Sequence, residues 1–258
     1  MKAKKYLGQN FLTRPHYGEV MRNAAKVDKN DFILEIGPGK GILTAVLLAQ
    51  AKKVIALEKD RELVEYLKEK YSKEIKNKKL ELIDGDALNY KLPTFDYKLI
   101  ANIPYYITGE ILRHFLETKK QPLSMTLMVQ KEVAERIVAR DSKESILSLS
   151  VKAYGVPKII ARVGAGNFQP KPKVDSAILH IEGISRNFFK DISEENFFKI
   201  IKAGFAHKRK KLVGNLSEAG FNRARVEKIL TKEKMSPNAR AEDLTLADWK
   251  KITMALHA

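Results

Sequence analysis

Along the first two-thirds of the chain, short apolar runs alternate with longer amphipathic ones, and this alternation restricts the fold more than any other feature. Phe32–Ile36, Val54–Leu57, Leu80–Ile83 and Tyr97–Ala101 read as strands buried on both faces. Between them, Ile42–Gln50 and Arg61–Tyr71 read as helices. Strand, crossover helix and parallel strand in repetition form a doubly wound, Rossmann-like α/β sheet. Upstream, Arg14–Val27 reads as a helix that tolerates Pro15 in its first turn and gathers Val20, Met21, Ala24 and Ala25 on one side. Downstream, Met125–Val129 is expected as a strand and Lys131–Ala139 as a helix. Ile159–Val163 and Ser176–Ile181 would complete the sheet as a hairpin.

After Gly183 the texture changes. Glu194–Phe205, Lys210–Ala219, Arg223–Leu230 and Leu246–Leu256 are helical in period, separated by Gly, Pro and Asn breaks. The expected organisation is an α/β domain over 1–184, a linker at Ile184–Asn187 and a small all-helical domain over 185–258. A chain of 258 residues is long enough to bury a core in this way.

Composition narrows the function classes. With 44% hydrophobic and 31% charged residues the chain is of the globular type. No apolar run approaches the ~18 residues of a membrane span. The basic start, Met1–Leu12, leads into polar residues instead of a signal-peptide core, so a cytoplasmic location is expected. The absence of cysteine removes disulfides, thiolate metal sites and thiol nucleophiles. His114, His180 and His207 show no metal-ligand spacing, and no metal is expected. No exposed heptad pattern is present, and a monomer is expected. The net charge of +17 draws polyanions, although a lysine-rich, heat-adapted surface would look similar. Positive charge is denser in the tail, where 16 Lys/Arg face 9 Asp/Glu from Ser185 onward.

The most informative early motif is Glu35-Ile-Gly37-Pro-Gly39-Lys-Gly41, directly after a strand and opening a helix. Glycines there let the backbone turn tightly and approach a ligand where a Cβ would collide. A tight turn without a ligand would give the same glycines, but the positions that follow weaken that reading. The next strand ends in Glu58, placed to accept both hydroxyls of a ribose. The third is followed by Asp86-Ala87, where an acid suits an adenine amino group. A dinucleotide site favours G-x-G-x-x-G and a helix N-terminus free for pyrophosphate. Here the spacing is G-P-G-K-G, and Glu35 lies two residues before the first glycine. That acid would repel pyrophosphate and suits the cationic amino and sulfonium groups of S-adenosyl-L-methionine. The methyl donor is favoured.

After the fourth strand comes Asn102-Ile103-Pro104-Tyr105. An adenine N6 lone pair is delocalised into the ring, so the amine needs hydrogen-bond acceptors that draw it toward tetrahedral geometry. The Asn102 side-chain oxygen and the Ile103 carbonyl supply two. Pro104 sets the turn, and Tyr105 offers a face on which a base stacks, worth ~1–3 kcal/mol. A base held in a helix must first be flipped out. Tyr106 is expected to pack in the core. Phe168, in the proline-rich loop Phe168–Asp175, is expected to face Tyr105 so that the adenine lies between two rings.

Together these residues resemble the ribosomal RNA adenine dimethyltransferase family, which methylates two adjacent adenosines near the 3′ end of small-subunit rRNA. The matching segments are Leu7–Leu12, Glu35–Thr44, Glu58, Gly85–Ala87, Asn102–Tyr105, Gln130–Arg136 and Phe168–Ser176, in order and at matching spacing. The resemblance implies a class I methyltransferase fold, with Asn10 and Leu12 closing over the cofactor. It also implies that the helical tail engages a partly assembled small ribosomal subunit of the 30S/40S type. Phe205–Leu212 is similar to the family's Phe-x-x-Arg-Arg-Lys segment, which points to Lys208, Arg209, Lys210 and Lys211 as RNA contacts. Lys208 stands where the family usually has arginine; it keeps the charge and loses the guanidinium fork. Asn238–Leu244 is similar to the family's final turn.

Several rivals stay open on sequence grounds. Antibiotic-resistance enzymes of the same superfamily methylate one adenine of large-subunit rRNA. DNA adenine and protein glutamine methyltransferases share Asn-x-Pro-Tyr, and this basic tail distinguishes the chain from them. Mitochondrial transcription factors of the same descent bind nucleic acid first. A nicotinamide oxidoreductase fits least.

Overall fold

A computed structural model describes Lys4 and residues 7–257. The strands are β1 (Phe11–Leu12), β2 (Phe32–Ile36), β3 (Lys53–Glu58), β4 (Leu80–Asp84), β5 (Lys98–Asn102), β6 (Met125–Gln130), β7 (Val156–Val163), β8 (Phe168–Gln169) and β9 (Ser176–Glu182). Seven of them form one sheet in the order β4-β3-β2-β5-β6-β9-β7. β2 through β6 run parallel, and β9 pairs antiparallel with both β6 and β7. β7 and β9 are thus the two arms of the expected hairpin, with a bulge between Ile159 and Ala161. β7 starts earlier than expected and takes in Pro157, which an edge strand tolerates because its outer N–H positions lack partners.

Contacts divide the chain into two compact units, Met1–Ala134 with Val156–Ile184, and Glu135–Gly155 with Ser185–Ala258. The helical unit therefore takes in Glu135–Gly155, a segment that sequence alone assigns to the first domain. In the α/β unit, α1 (Pro15–Ala24), α2 (Ile42–Leu48), α3 (Arg61–Lys70), α4 (Ser72–Lys76), α5 (Thr108–Glu117) and the start of α6 (Lys131–Val138) accompany the sheet. Ile33, Val54, Ala56, Ile100, Met128 and Ile178 of the strands join Met21 of α1, Leu43 and Leu47 of α2, and Leu67 of α3 in one buried cluster. Each Ile, Val, Leu or Met side chain among them contributes about 1.5–3 kcal/mol on burial. Asp60 caps α3, its carboxylate accepting from the Glu62 amide.

The helical unit holds α7 (Ile146–Lys152), α8 (Glu194–Gly204), α9 (Leu212–Glu218), α10 (Arg223–Lys232) and α11 (Leu246–His257). Its core centres on Trp249, fully buried and stacked on Phe205 with ring centroids 5.8 Å apart. The helix expected from Lys210 begins at Leu212, and the basic run Lys208–Lys211 precedes it. That run is a bend between α8 and α9, because Asn215, itself buried, donates to the carbonyls of Gly204 (2.5 Å) and His207 (3.1 Å) and holds the chain turned.

Gly204 marks the tightest packing in this unit. A Cβ there would fall 2.3 Å from Cη2 of Trp249 and 3.0 Å from Leu212. Alanine normally favours a helix over glycine by about 1 kcal/mol, but a rigid indole leaves no room for it. Gly204→Ala is expected to destabilise the protein by about 1–3 kcal/mol through overpacking, read as a lower midpoint in urea denaturation; a midpoint equal to or above wild type would contradict this packing.

Candidate functional site

The site begins with register. Ile36 at the end of β2 lies opposite Leu57 of β3 and Ala101 of β5, and Glu58 of β3 lies opposite Asp84 of β4. The next residue of each chain segment therefore emerges at one edge of the sheet. Strand order reverses at β2, with β3 on one side and β5 on the other, which opens a crevice at the carboxyl ends. A single cavity there is lined by Gly37, Gly39, Glu58, Asp86, Ala87 and the whole of Asn102–Ile107. Leu7–Leu12 lines it as well.

The glycine turn is built for close approach. Gly37 has φ +65°, and a Cβ on it would meet only the Asn102 carbonyl, 3.8 Å away. Its backbone conformation demands glycine and its open face is the cavity. Gly39, at φ +57°, would bring a Cβ within 2.9 Å of the Phe11 ring.

Three carboxylates surround this turn, each in a different state. Glu35 is fully buried, and neither of its oxygens has a partner among the described residues. Burial outweighs the neighbouring Thr44 hydroxyl, which favours the charged form without reaching hydrogen-bond geometry, and with the Glu58 charge adding to it pushes the pKa up to about 8. Glu58 is 6% exposed. Its Oε1 accepts from the amides of Lys59 and Asp60, both at 3.0 Å, and its Oε2 from Gly39 N at 3.1 Å. Burial still lifts it above the usual carboxylate range against those donors. Asp86 is more open: the Lys59 ammonium, 2.8 Å from its Oδ2, holds it below that range, and its Oδ1 accepts from Leu88 N at 3.1 Å. An acidic cradle around a glycine turn repels pyrophosphate and suits a nucleoside that carries positive groups.

On the other side of the crevice, Asn102 Nδ2 donates to the Asn10 carbonyl at 3.2 Å. That bond fixes the amide so that Oδ1 lies on the side away from Asn10, as an acceptor next to the turn Ile103–Pro104. Ile103 is buried and Tyr105 half-buried, its hydroxyl 2.7 Å from Ser176 Oγ. Burial raises the Tyr105 pKa, so the phenol stays neutral.

Two expectations about rings are corrected. Tyr106 is not in the core: it is 64% exposed and stands at the cavity, next to Gly8, where a Cβ would lie 3.1 Å from its ring. Phe168 does not face Tyr105 across the cavity in this geometry. It is 3% exposed and belongs to the buried cluster that also holds Leu12, Met21, Val163 and Ile178, because β8 pairs with β1 and places Phe168 opposite Leu12. Asn10 and Leu12 do reach the cavity, with Asn10 bonded to the Gly8 carbonyl at 3.1 Å.

A sequence model of the family described as ribosomal RNA adenine dimethylase matches residues 1–257. The chain belongs to that family. Among curated relatives, the ribosomal RNA small subunit methyltransferase A of Dehalococcoides mccartyi strain BAV1 is 39% identical over 98% of this chain and 88% of its own length. That of Fusobacterium nucleatum is 38% identical over 95% of this chain and 94% of its own length. Among solved structures, a dimethyladenosine transferase from Plasmodium falciparum superposes with TM-score 0.80 at 28% identity, covering 94% of this chain and 95% of that one. The 23S rRNA methyltransferase ErmE gives TM-score 0.81 at 24% identity, over 96% of this chain and all of that one, and shares the fold. The adenine dimethylase fold is thus a Rossmann-like class I methyltransferase domain with a helical C-terminal part.

The tail residues of the family resemblance lie in the bend described above. Lys208, Arg209 and Lys211 are exposed, whereas Lys210 is half-buried and paired with Glu218. Sequence reading missed three side chains of the cavity region in this adenine dimethylase: Lys59, Asp60 and Gln9. Their signal was their place beside Glu58 and Asn10, but only the folded chain shows that they meet.

Glu35 generates a pH prediction for the ligand-free protein. Its pKa is raised from 4.5 in the unfolded chain to about 8 in the fold, so between those values the folded state holds a proton that the unfolded state has released. Stability contributed by the neutral form is complete below pH 4.5 and falls as pH rises toward about 8. Glu35→Gln, a neutral isostere, is expected to flatten that decline in denaturation midpoints taken across the range. An unchanged slope would place the titration elsewhere.

Proposed function

We propose that this chain uses S-adenosyl-L-methionine to dimethylate N6 of two adjacent adenosines near the 3′ end of small-subunit rRNA, as a step of ribosome biogenesis in the cytoplasm. The observation that carries the chemistry is the Asn102 amide, whose nitrogen is occupied by the Asn10 carbonyl and whose oxygen is left as an acceptor at the edge of an acidic nucleoside cradle. The substrate reading is supported by family membership and by the names of relatives at 38–39% identity.

In this reading Glu58 accepts the ribose hydroxyls of the cofactor, Asp86 with the Ala87 backbone receives its adenine, and Gly37 and Gly39 let the backbone approach its tail. Glu35 offsets its positive charge, while Asn10 and Leu12 cover it. The cofactor supplies an electrophilic methyl on a cationic sulfur. Asn102 Oδ1 and the Ile103 carbonyl accept the two N6 hydrogens of the target adenine and localise its lone pair for in-line attack. Pro104 holds the turn and Tyr105 supplies the stacking face. Attack by a neutral amine on a cationic donor disperses charge, so a strong base is required only when the product sheds its proton. Positioning carries most of the rate enhancement, for which ~7–11 kcal/mol is accessible. Phe168 supports the site from the core by holding β1, which carries Leu12. The second methylation requires the pocket to admit a base that already bears one methyl.

The helical unit would dock on a partly assembled small subunit, with Lys208, Arg209 and Lys211 toward phosphates and Lys210 shared with Glu218. The protein would act as a monomer.

The test is transfer of labelled methyl groups from S-adenosyl-L-methionine to immature small subunits, followed by mass analysis of the digested rRNA. N6,N6-dimethyladenosine at two adjacent 3′-terminal positions is expected; labelling of large-subunit rRNA, DNA or protein instead would overturn the substrate. Asn102→Ala is expected to lower turnover by about 10²-fold or more while changing the cofactor dissociation constant little, measured by single-turnover transfer and calorimetry. Equal losses in both would remove Asn102 from the acceptor role.

A further inference from the structure

The segment Leu7–Leu12 forms a strap along the cavity, and its two ends are held by different forces. Its inner end is anchored by backbone. Phe11 and Leu12 pair with Gln169 and Phe168, and Thr13 donates from both N and Oγ1 to the Asn167 carbonyl at 2.9 Å. Its outer end is anchored by side chains that converge on Asp60. Lys4 Nζ lies 2.7 Å from Asp60 Oδ1, and Gln9 Nε2 donates to Oδ2 at 2.9 Å. Gln9 also accepts from the Lys4 amide at 2.7 Å, and Lys4 reaches Glu62 at 2.9 Å. Asp60 is 5% exposed and rooted by its cap on α3. Within the outer anchor Tyr106 lies against Gly8, and between the two anchors Asn10 turns its carbonyl to the Asn102 amide.

We infer that Asp60 is a positioning residue for methyl transfer: by gripping Gln9 and Lys4 it latches the strap over the cavity, and through Asn10 it sets the orientation of Asn102. It sits two residues beyond Glu58, whose Oε1 accepts from the Asp60 amide. One short segment thus shapes both the cofactor cradle and the strap that covers it. Burial works against the charge on Asp60, but the bonds from Lys4, Gln9 and the Glu62 amide outweigh it and hold the carboxyl ionised. A buried charge with partners drawn from a strap 51 and 56 residues away in sequence is a point of closure: losing Gln9 leaves Oδ2 without its donor, and losing Lys4 leaves Oδ1 with the Glu62 amide and no countercharge from the strap. The inference rests on the methyltransferase reading given above for the role of Asn102, and its latch component is measurable without catalysis.

The variants separate the latch from the helix cap. Asp60→Ser keeps a hydroxyl to cap α3 and cannot hold Lys4 and Gln9 together; Gln9→Ala leaves α3 untouched. In the ligand-free protein, amide hydrogen exchange across residues 7–12 is expected to speed up about tenfold in either variant, and no further in the double variant, because both changes open the same latch. S-adenosylhomocysteine is expected to dissociate about tenfold faster from each. Turnover should fall more than in a variant that weakens cofactor binding alone, since Asn102 loses its orienting partner. Exchange and dissociation rates equal to wild type, or effects of the two substitutions that multiply in the double variant, would overturn the latch. Should wild type bind S-adenosylhomocysteine and transfer no methyl to RNA, the functional reading fails and the exchange and dissociation measurements still decide the latch.

Discussion

The parallel register of β2 with both β3 and β5 is the constraint on which the α/β unit depends. Because Ile36 aligns with Leu57 on one side and Ala101 on the other, the residues that follow these three strands share one edge. Glu58 and Asn102 lie 44 positions apart in the chain and close the opposite sides of the same crevice. A slip of one residue in either pairing would turn every strand side chain to the other face, and the buried cluster that spans Ile33, Val54, Ile100 and Met128 penalises such a slip. The core therefore sets the site geometry, and substitutions in it would reach the chemistry through register.

Charge is organised in opposition to the overall composition. The chain carries +17, yet its central cavity is acidic, with Glu58 and Asp86 lining it and Glu35 buried two residues before Gly37. Positive groups at the cavity are largely committed: Lys59 is paired with Asp86, and Lys40 lies over the Phe11 ring at 5.2 Å from its centroid. The acidic lining favours a cationic ligand inside the cavity, while the net positive charge of the chain favours a polyanion elsewhere on its surface. Glu35 is the costly member of this arrangement. A carboxyl so buried remains protonated in the free protein, and a positive ligand group would favour its ionised form.

The acceptor turn and the strap form one mechanical unit. Asn102 is orientated by a backbone carbonyl, not by a side chain, so the identity of residue 10 matters less for that bond than the path of the strap. That path is set by the backbone pairing of β1 with β8 at one end and by ionic side-chain contacts at the other. This division of forces gives the strap a fixed hinge and a side-chain-held free end.

Period and motif spacing in the sequence determined the parallel strands, the helical tail and the residues Glu35, Gly37, Gly39, Glu58, Asp86 and Asn102, because runs buried on both faces and glycines at positive φ leave local marks. Local pattern fell short where it was ambiguous. Ile146–Lys152 has no reading from period, yet it forms α7, with Ser145 and Ser148 closing a capping box at its start. The Lys208–Lys211 run has helical surroundings, and Asn215 bends it into a loop from four residues beyond. Only the tertiary structure decided that Tyr106 is exposed and Phe168 buried, since two aromatic residues in neighbouring turn-rich motifs carry no burial signal of their own. It also decided that Lys4 and Gln9 meet Asp60 and that Asn10 holds Asn102. Those contacts join residues 51 to 92 positions apart, and their geometry exists only once the sheet has brought the ends of β3 and β5 to one edge and the β1–β8 pairing has laid the strap across them.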